Sequence, residues 1–265
     1  EELKDSGRLV VAGGGYIGLE VAASARALGC EVAVIEAQPH IMQRSALTPI
    51  ADRLLDRHRL EGVDVHLGRL LTEIHGVGRV RAISLDDGTL IDCDLVLKGL
   101  GVQPELRWLE GSGIEIDRGV KVDAQCRTND PDIFAAGDCA ETAHPLYAEP
   151  VVLESVQNAV SQGKLCAAAI LGQDVRYEDV PWFWSEQYDL RLQMAGLPQP
   201  GDTLVLRDVG PNSLTVLSVG EDRLNAVQCI NAPRDYMAGR KLIAAGSALD
   251  TEPLGDPSQS LQDLT

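Results

Sequence analysis

No two cysteines in this sequence are spaced as C-x-x-C, although it holds six: Cys30, Cys93, Cys126, Cys139, Cys166 and Cys229. That absence excludes a redox dithiol and the usual zinc clasp. Several of the six lie in apolar stretches such as Leu165-Cys166-Ala167, which predicts buried, reduced thiols and a cytoplasmic protein. No apolar run approaches the ~20 residues that a membrane-spanning helix needs. The first residues, Glu1-Glu2-Leu3-Lys4-Asp5, carry no secretory-leader pattern and no initiator Met, so the expectation is a piece of a longer chain. Positive charge is scarce: 23 Lys and Arg stand against 40 Asp and Glu, a net charge of −17. Nucleic acid needs clustered cations and an anionic membrane surface repels such a chain, so neither is an expected partner. The plain reading of the charge is solubility, and an acidic protein partner would require a local basic patch.

What is present is an ordinary globular composition, 45% hydrophobic and 24% charged over 265 residues, long enough for more than one compact domain. The short apolar run from Arg8 to Ala12 predicts a buried parallel strand, Tyr16 to Leu28 a helix stopped by Gly29, and Glu31 to Ile35 a second strand. The three make a right-handed crossover. A helix over Thr48 to Leu60 and a strand over Val63 to Leu67 follow. Leu71 to Ile74, Arg79 to Leu85 and Thr89 to Cys93 form an antiparallel meander, turned by Asp86-Asp87-Gly88. Asp94 to Leu97 returns as a strand into Gly99-Leu100-Gly101. Further strands are expected at Gly119 to Asp123 and Ile133 to Ala136, and a helix at Glu154 to Leu171 ended by Gly172. Beyond Pro181 the texture changes to strands at Arg191 to Met194, Thr203 to Leu206, Ser213 to Val219 and Arg223 to Ile230, the last two turned by Gly220-Glu221-Asp222. A helix over Arg234 to Ala245 and a polar tail of about a dozen residues close the chain.

Chemistry concentrates at Gly13-Gly14-Gly15-Tyr16-Ile17-Gly18, which fits G-x-G-x-x-G with a strand before it and a helix after it. Gly13 permits the tight turn, Gly15 lets a pyrophosphate approach the backbone, and Gly18 packs the helix on the strand. Glu36, ending the second strand ~20 residues on, suits the adenosine ribose hydroxyls. A carboxylate there repels a 2′-phosphate, and Ala37-Gln38-Pro39-His40 supplies no fixed positive charge, so NADH is expected over NADPH. Arg44, the nearest fixed cation, reads equally as a ribose or pyrophosphate contact or as a solvated loop arginine.

The stretch Gly13 to Glu20 is similar to the NAD domain of the FAD-dependent pyridine-nucleotide reductases. Thr128-Asn129-Asp130-Pro131-Asp132-Ile133-Phe134-Ala135-Ala136-Gly137-Asp138 resembles that superfamily's second FAD motif. Pro181-Trp182-Phe183-Trp184-Ser185-Glu186-Gln187, with Asn231-Ala232-Pro233-Arg234-Asp235, resembles the C-terminal domain of oxygenase-coupled ferredoxin reductases. The resemblance implies an α/β fold in three parts: a Rossmann-like NAD-binding domain with its antiparallel meander at 1–101, the C-terminal part of an FAD-binding domain at 102–177, and a C-terminal α+β domain at 178–265. It implies FAD and NAD as cofactors, a [2Fe-2S] ferredoxin as partner, and hydride transfer from NADH to flavin followed by single-electron steps. No catalytic acid, base or metal is required.

By the same resemblance Gly137 and Asp138 hold FAD, with Asp138 as a helix N-cap the alternative. Glu20 and Glu154 line the nicotinamide pocket, although each alone reads as an ordinary helix carboxylate; Gly101 belongs to the cofactor crevice. Trp184 stands near the flavin on the ferredoxin side, while Phe183 is expected in the core and Trp182 fits either place. Arg191, Arg234, Arg240 and Lys241 are the candidate ferredoxin patch. The sequence departs from the family in lacking a first G-x-G-x-x-G for FAD, in Lys98 on a return strand expected to be buried, and in Glu105 where Asn is usual. Two other readings stay open: an NADH-binding module without turnover, and a rubredoxin or monodehydroascorbate reductase.

Overall fold

The computed structural model describes residues 7–263 apart from 222, 247, 250 and 251. Glu1–Asp5 and Asp222 of the expected turn lie outside the described residues.

Strands β1 (Arg8–Ala12), β2 (Glu31–Glu36), β3 (Asp64–Leu67) and β7 (Leu95–Lys98) form a parallel sheet in the order β3-β2-β1-β7. Helices α1 (Tyr16–Ala27) and α2 (Thr48–Leu60) provide the crossovers. Because β1 is central and buried on both faces, its residues from Leu9 to Val11 are apolar without alternation. One face meets α1 and α2; the other meets the antiparallel sheet of β4 (Leu71–Gly76), β5 (Val80–Leu85) and β6 (Leu90–Asp92), which shares a core with Val10, Ala33 and Ile35. Gly88 turns β5 into β6 with φ of 85°, as Asp-Gly chemistry requires.

A second, smaller sheet joins β8 (Val120–Val122), β9 (Ala140–Thr142) and β10 (Val151–Val152). The strand expected at Ile133 to Ala136 is not there. That segment makes one bridge, Arg127 with Phe134, before the positive φ of Gly137 turns the chain away. Helix α3 (Val156–Ile170) follows, capped by Ser155, whose hydroxyl accepts the Asn158 amide.

The C-terminal region is a five-stranded antiparallel sheet, β11 (Trp182–Gln187), β12 (Leu190–Gly196), β13 (Thr203–Gly210), β14 (Ser213–Val219) and β15 (Leu224–Ile230), in the order β11-β12-β15-β14-β13. Helix α4 (Pro233–Ala245) packs on one face. The opposite face, through Leu190, Leu192, Met194, Leu214, Val216 and Ile230, merges into the core under α1 and α2. The crossover unit and the C-terminal sheet therefore share one apolar interior.

Two further expectations are corrected. The final residues are not a free polar tail: Leu254 and Leu261 are buried. Arg207, only 2% exposed, donates to the backbone carbonyls of Leu254, Asp256 and Gln259 and to the Asp235 carboxylate. Nor is Lys98 buried. It ends β7 with its side chain in solvent, because the strand emerges from the sheet edge at that residue.

Candidate functional site

The carboxyl ends of β1, β2 and β7 converge on the glycine turn. Gly13 has φ of 109°, and a Cβ there would stand 2.3 Å from the carbonyl oxygen of Gly99. Gly18 is as constrained, since its Cβ would meet the Gly13 carbonyl at 2.1 Å and press on Val11. The turn and the helix thus pack too closely for any side chain at either position. Gly15 differs: nothing lies within 4 Å of where its Cβ would be. It faces open space directly over the first turn of α1, whose amides have no acceptor within the helix. Ile17, 72% exposed, stands beside the same opening.

Glu36 ends β2 as expected, and its carboxylate is already part of the turn. Oε2 accepts the Gly14 amide at 2.6 Å and Oε1 accepts the Gln38 amide at 2.8 Å. Gly14 is therefore bound to the acid rather than free for phosphate. The bond fixes the carboxylate rim beside the cradle, with lone pairs left to accept hydroxyl donors. Arg44 arrives from the loop after β2 with its guanidinium over Gly101, where an added Cβ would lie 3.1 Å from Nη2. Gly13, Gly14, Gly15, Glu36, Arg44 and Gly101 are thus brought together around one mouth.

Tyr16 turns the other way. Its ring packs on Phe183 with centroids 4.4 Å apart, and burial pushes its hydroxyl pKa up. It belongs to the seam between α1 and β11. Glu20 lies on that seam too: Oε1 accepts the Ser185 hydroxyl at 2.6 Å and the Glu186 amide at 3.3 Å. Behind Ser185 come Gln187 and His58, both buried, neither of which was singled out from the sequence. The available signal was alternation: on a strand, Ser185 and Gln187 share one face, and two polar residues on a buried face demand partners.

A second group surrounds the start of α3. Gly137, with φ of 78°, donates its amide to Gln162 Oε1 at 2.7 Å, which fixes the turn against the helix. The neighbouring Asp138 carboxylate is exposed and has no hydrogen-bond or ion-pair partner among the described residues, so it caps no helix. Within the first turn of α3, both amide atoms of Gln157 and the Oδ1 of Asn158 are buried without partners. Unspent polar atoms of this kind call for a ligand or water. They suit a polar, hydroxyl-bearing cofactor edge, and the acceptor of Asp138 suits its hydroxyls. Glu154 is exposed just before this helix.

Trp184 is 40% exposed and stacks on Trp182 at 5.7 Å, which in turn lies under the guanidinium of Arg240. Arg191 pairs with Glu186. Arg234 and Lys241 are exposed on one side of α4, flanking Met237. The departure at Glu105 is resolved locally by a two-pronged pair with Arg107 at 2.8 and 2.7 Å. No disulfide forms among the described residues, and four of the six cysteines are buried. No helix among the described residues is long and apolar enough to cross a membrane.

Comparison with known proteins agrees with this arrangement. The family model for pyridine nucleotide-disulphide oxidoreductases matches residues 1–163, and the model described as reductase C-terminal matches 182–265. The chain is 41% identical over 258 residues to the ferredoxin–NAD(+) reductase component of the anthranilate 1,2-dioxygenase system of Burkholderia cepacia, covering 96% of this chain and 63% of that protein. Among solved structures, the ferredoxin reductase for the CYP199A2 system of Rhodopseudomonas palustris superposes with a TM-score of 0.94 at 37% identity, covering 99% of this chain and 65% of that one. The covalent putidaredoxin reductase–putidaredoxin complex gives 0.93 at 34% identity, covering 97% and 63%. The chain spans under two thirds of the length of these relatives. With a glycine cradle at the sheet's carboxyl edge, a carboxylate beside it and a matching C-terminal sheet, the chain belongs to the pyridine nucleotide-disulphide oxidoreductase family.

Proposed function

We propose that this chain is the pyridine-nucleotide-binding and C-terminal part of an NADH-dependent flavoprotein reductase that passes electrons through FAD to a [2Fe-2S] ferredoxin. The observation that carries the reading is the opening over Gly15, bounded by free helix amides and by the Glu36 carboxylate. In it, the α1 amides hold the pyrophosphate and Glu36 accepts the ribose hydroxyls. Arg44 lies over the mouth and Glu20 stands at the nicotinamide end. Residues 1–101 form the NAD-binding domain, 102–177 a partial FAD domain and 178–265 the C-terminal domain. The free carboxylate of Asp138, with Gly137 and the orphaned amides at the start of α3, is the part of this chain that fits FAD, and Glu154 borders the ring side. When bound, the flavin supplies the conversion from a two-electron donor to a one-electron acceptor.

The protein residues bind and orient; no side chain need carry a proton. Trp184 and the cations Arg234, Arg240 and Lys241 form the surface for an acidic ferredoxin, a polar partner well matched to the cytoplasm in which we place the protein. The relatives support the partner class, since those proteins are ferredoxin reductases.

The experiment is direct. The purified chain is mixed with FAD, desalted and titrated with NADH. Retained flavin absorbance that NADH bleaches supports the enzyme. NADH binding without retained flavin makes the isolated chain a nucleotide-binding module, and no saturable binding of either overturns the reading.

A further inference from the structure

We infer that Ser185 and Gln187 are positioning residues for the nicotinamide end of the dinucleotide site, acting through a one-way chain of hydrogen bonds that begins at Tyr188 and ends on Glu20. This rests on the dinucleotide reading above and adds to it a part of the protein that the glycine motif does not contain.

The links are short and run through buried side chains. Gln187 Nε2 donates to Ser185 Oγ at 3.1 Å and lies 3.8 Å from the Met42 sulfur. Since its nitrogen is the donor there, its Oε1 must accept, and His58 Nε2 is 2.9 Å away. His58 therefore carries its proton on Nε2, which leaves Nδ1 to accept from the Tyr188 hydroxyl at 3.1 Å. At the other end the Ser185 hydroxyl donates to Glu20 Oε1 at 2.6 Å. Ser185, Gln187 and His58 are each no more than 1% exposed. Every donor points the same way, from Tyr188 through His58, Gln187 and Ser185 to the carboxylate.

Two consequences follow. In a series of aligned donors each bond polarises the next, so the last donor, onto a charged acceptor, is the strongest. And Glu20 is held directly by Ser185 and the Glu186 amide of β11, both on Oε1, which fixes one carboxylate oxygen and leaves the other without a hydrogen-bond partner among the described residues. A carboxylate at that end favours the positively charged ring of NAD+ over the neutral ring of NADH by Coulomb attraction. The chain thereby sets how strongly the site discriminates between the two redox forms.

The test measures dissociation constants of the chain for NAD+, NADH and ADP-ribose by calorimetry, with Tm recorded for each variant. ADP-ribose occupies the Gly15 cradle but has no nicotinamide. Ser185→Ala is expected to change the NAD+ to NADH affinity ratio about three- to tenfold while leaving ADP-ribose affinity unchanged. Ser185→Thr, which keeps the hydroxyl, is expected to restore the ratio. Should Ser185→Ala fail to fold, Ser185→Cys, with a weaker donor of similar size, is expected to move the ratio in the same direction by less. An unchanged ratio in a folded Ala or Cys variant that still binds ADP-ribose overturns the inference alone. Failure of the unaltered chain to bind ADP-ribose overturns the dinucleotide reading and the inference with it.

Discussion

Gly13 and Gly99 are in such close contact that a methyl group on the first would lie 2.3 Å from the carbonyl oxygen of the second. The contact joins β1 to β7 at the carboxyl edge of the parallel sheet, where the Gly99 amide also donates to the Ala12 carbonyl at 2.8 Å. Two glycines of the same motif therefore carry different loads. Gly13→Ala combines a steric clash with backbone against a positive φ and is expected to cost ~3 kcal/mol or more. Gly15→Ala meets empty space and is expected to cost less than about 1 kcal/mol, yet to weaken ADP-ribose binding by roughly tenfold or more. Urea unfolding and calorimetry on both variants separate the roles; equal stability losses would contradict this division.

In the proposed reading Glu36 selects the nucleotide. Its carboxylate closes the turn through the Gly14 and Gln38 amides and, in that reading, also rims the ribose site. Replacing Glu36 with Ser and Gln38 with Arg removes the repulsion of a 2′-phosphate and adds a cation for it. The double variant is expected to move preference towards NADPH by roughly a hundredfold, at a loss of about 1 kcal/mol for the missing turn bonds. Parallel titrations with NADH and NADPH measure it.

His58 makes stability fall with acid. Burial pushes its pKa below the ordinary value of 6.5, against the hydrogen bond to Gln187 and together with the nearby Arg57 charge. Burial likewise lowers His144, opposed by its bond to the Asp179 carbonyl. Below pH 6.5 the unfolded chain takes up protons that these folded imidazoles refuse, so this contribution is complete above that pH and shrinks as pH drops beneath it. The slope is at most about 1.4 kcal/mol per pH unit for each histidine. Denaturant midpoints from pH 7.5 to 5 are expected to decline, and His58→Gln to show a shallower decline from a lower start.

Arg207 secures the chain's last residues. Buried with Asp235 and three backbone carbonyls from the 254–259 segment, it has no water to fall back on. Arg207→Met leaves those acceptors and Asp235 unpaired and is expected to destabilise the C-terminal sheet by about 3–5 kcal/mol. Limited proteolysis should then cut within 253–263 well before the rest of the protein. Retained protection there would refute the strap.

Apolar patterning placed β1 and β2 as unbroken runs, because both faces of those strands are buried, and α1 and α2 by the spacing of one buried face, while Asp-Gly turn chemistry helped to place the meander. The glycine motif was equally legible, since its requirements are backbone requirements and lie within a few residues of one another. Ile133 to Ala136 misled because an apolar run reads as a strand whether or not a partner is in reach. The closing segment misled in the opposite way: its polar composition hid Leu254 and Leu261, whose burial depends on an arginine some fifty positions earlier. Trp182 to Gln187 read as a family motif, not as a strand, and nothing local showed that Ser185 and Gln187 would face Glu20 and His58.

By itself, the order of residues determined the glycine cradle, its acid and the class of fold, since strand, turn and helix preferences act over short distances. Which carboxylate is free and which is held was decided only when the chain closed. Asp138 has no partner among the described residues, while Glu20, within α1, is gripped from the C-terminal sheet. Hydrogen bonds between segments more than a hundred residues apart depend on packing geometry, and no local preference encodes it.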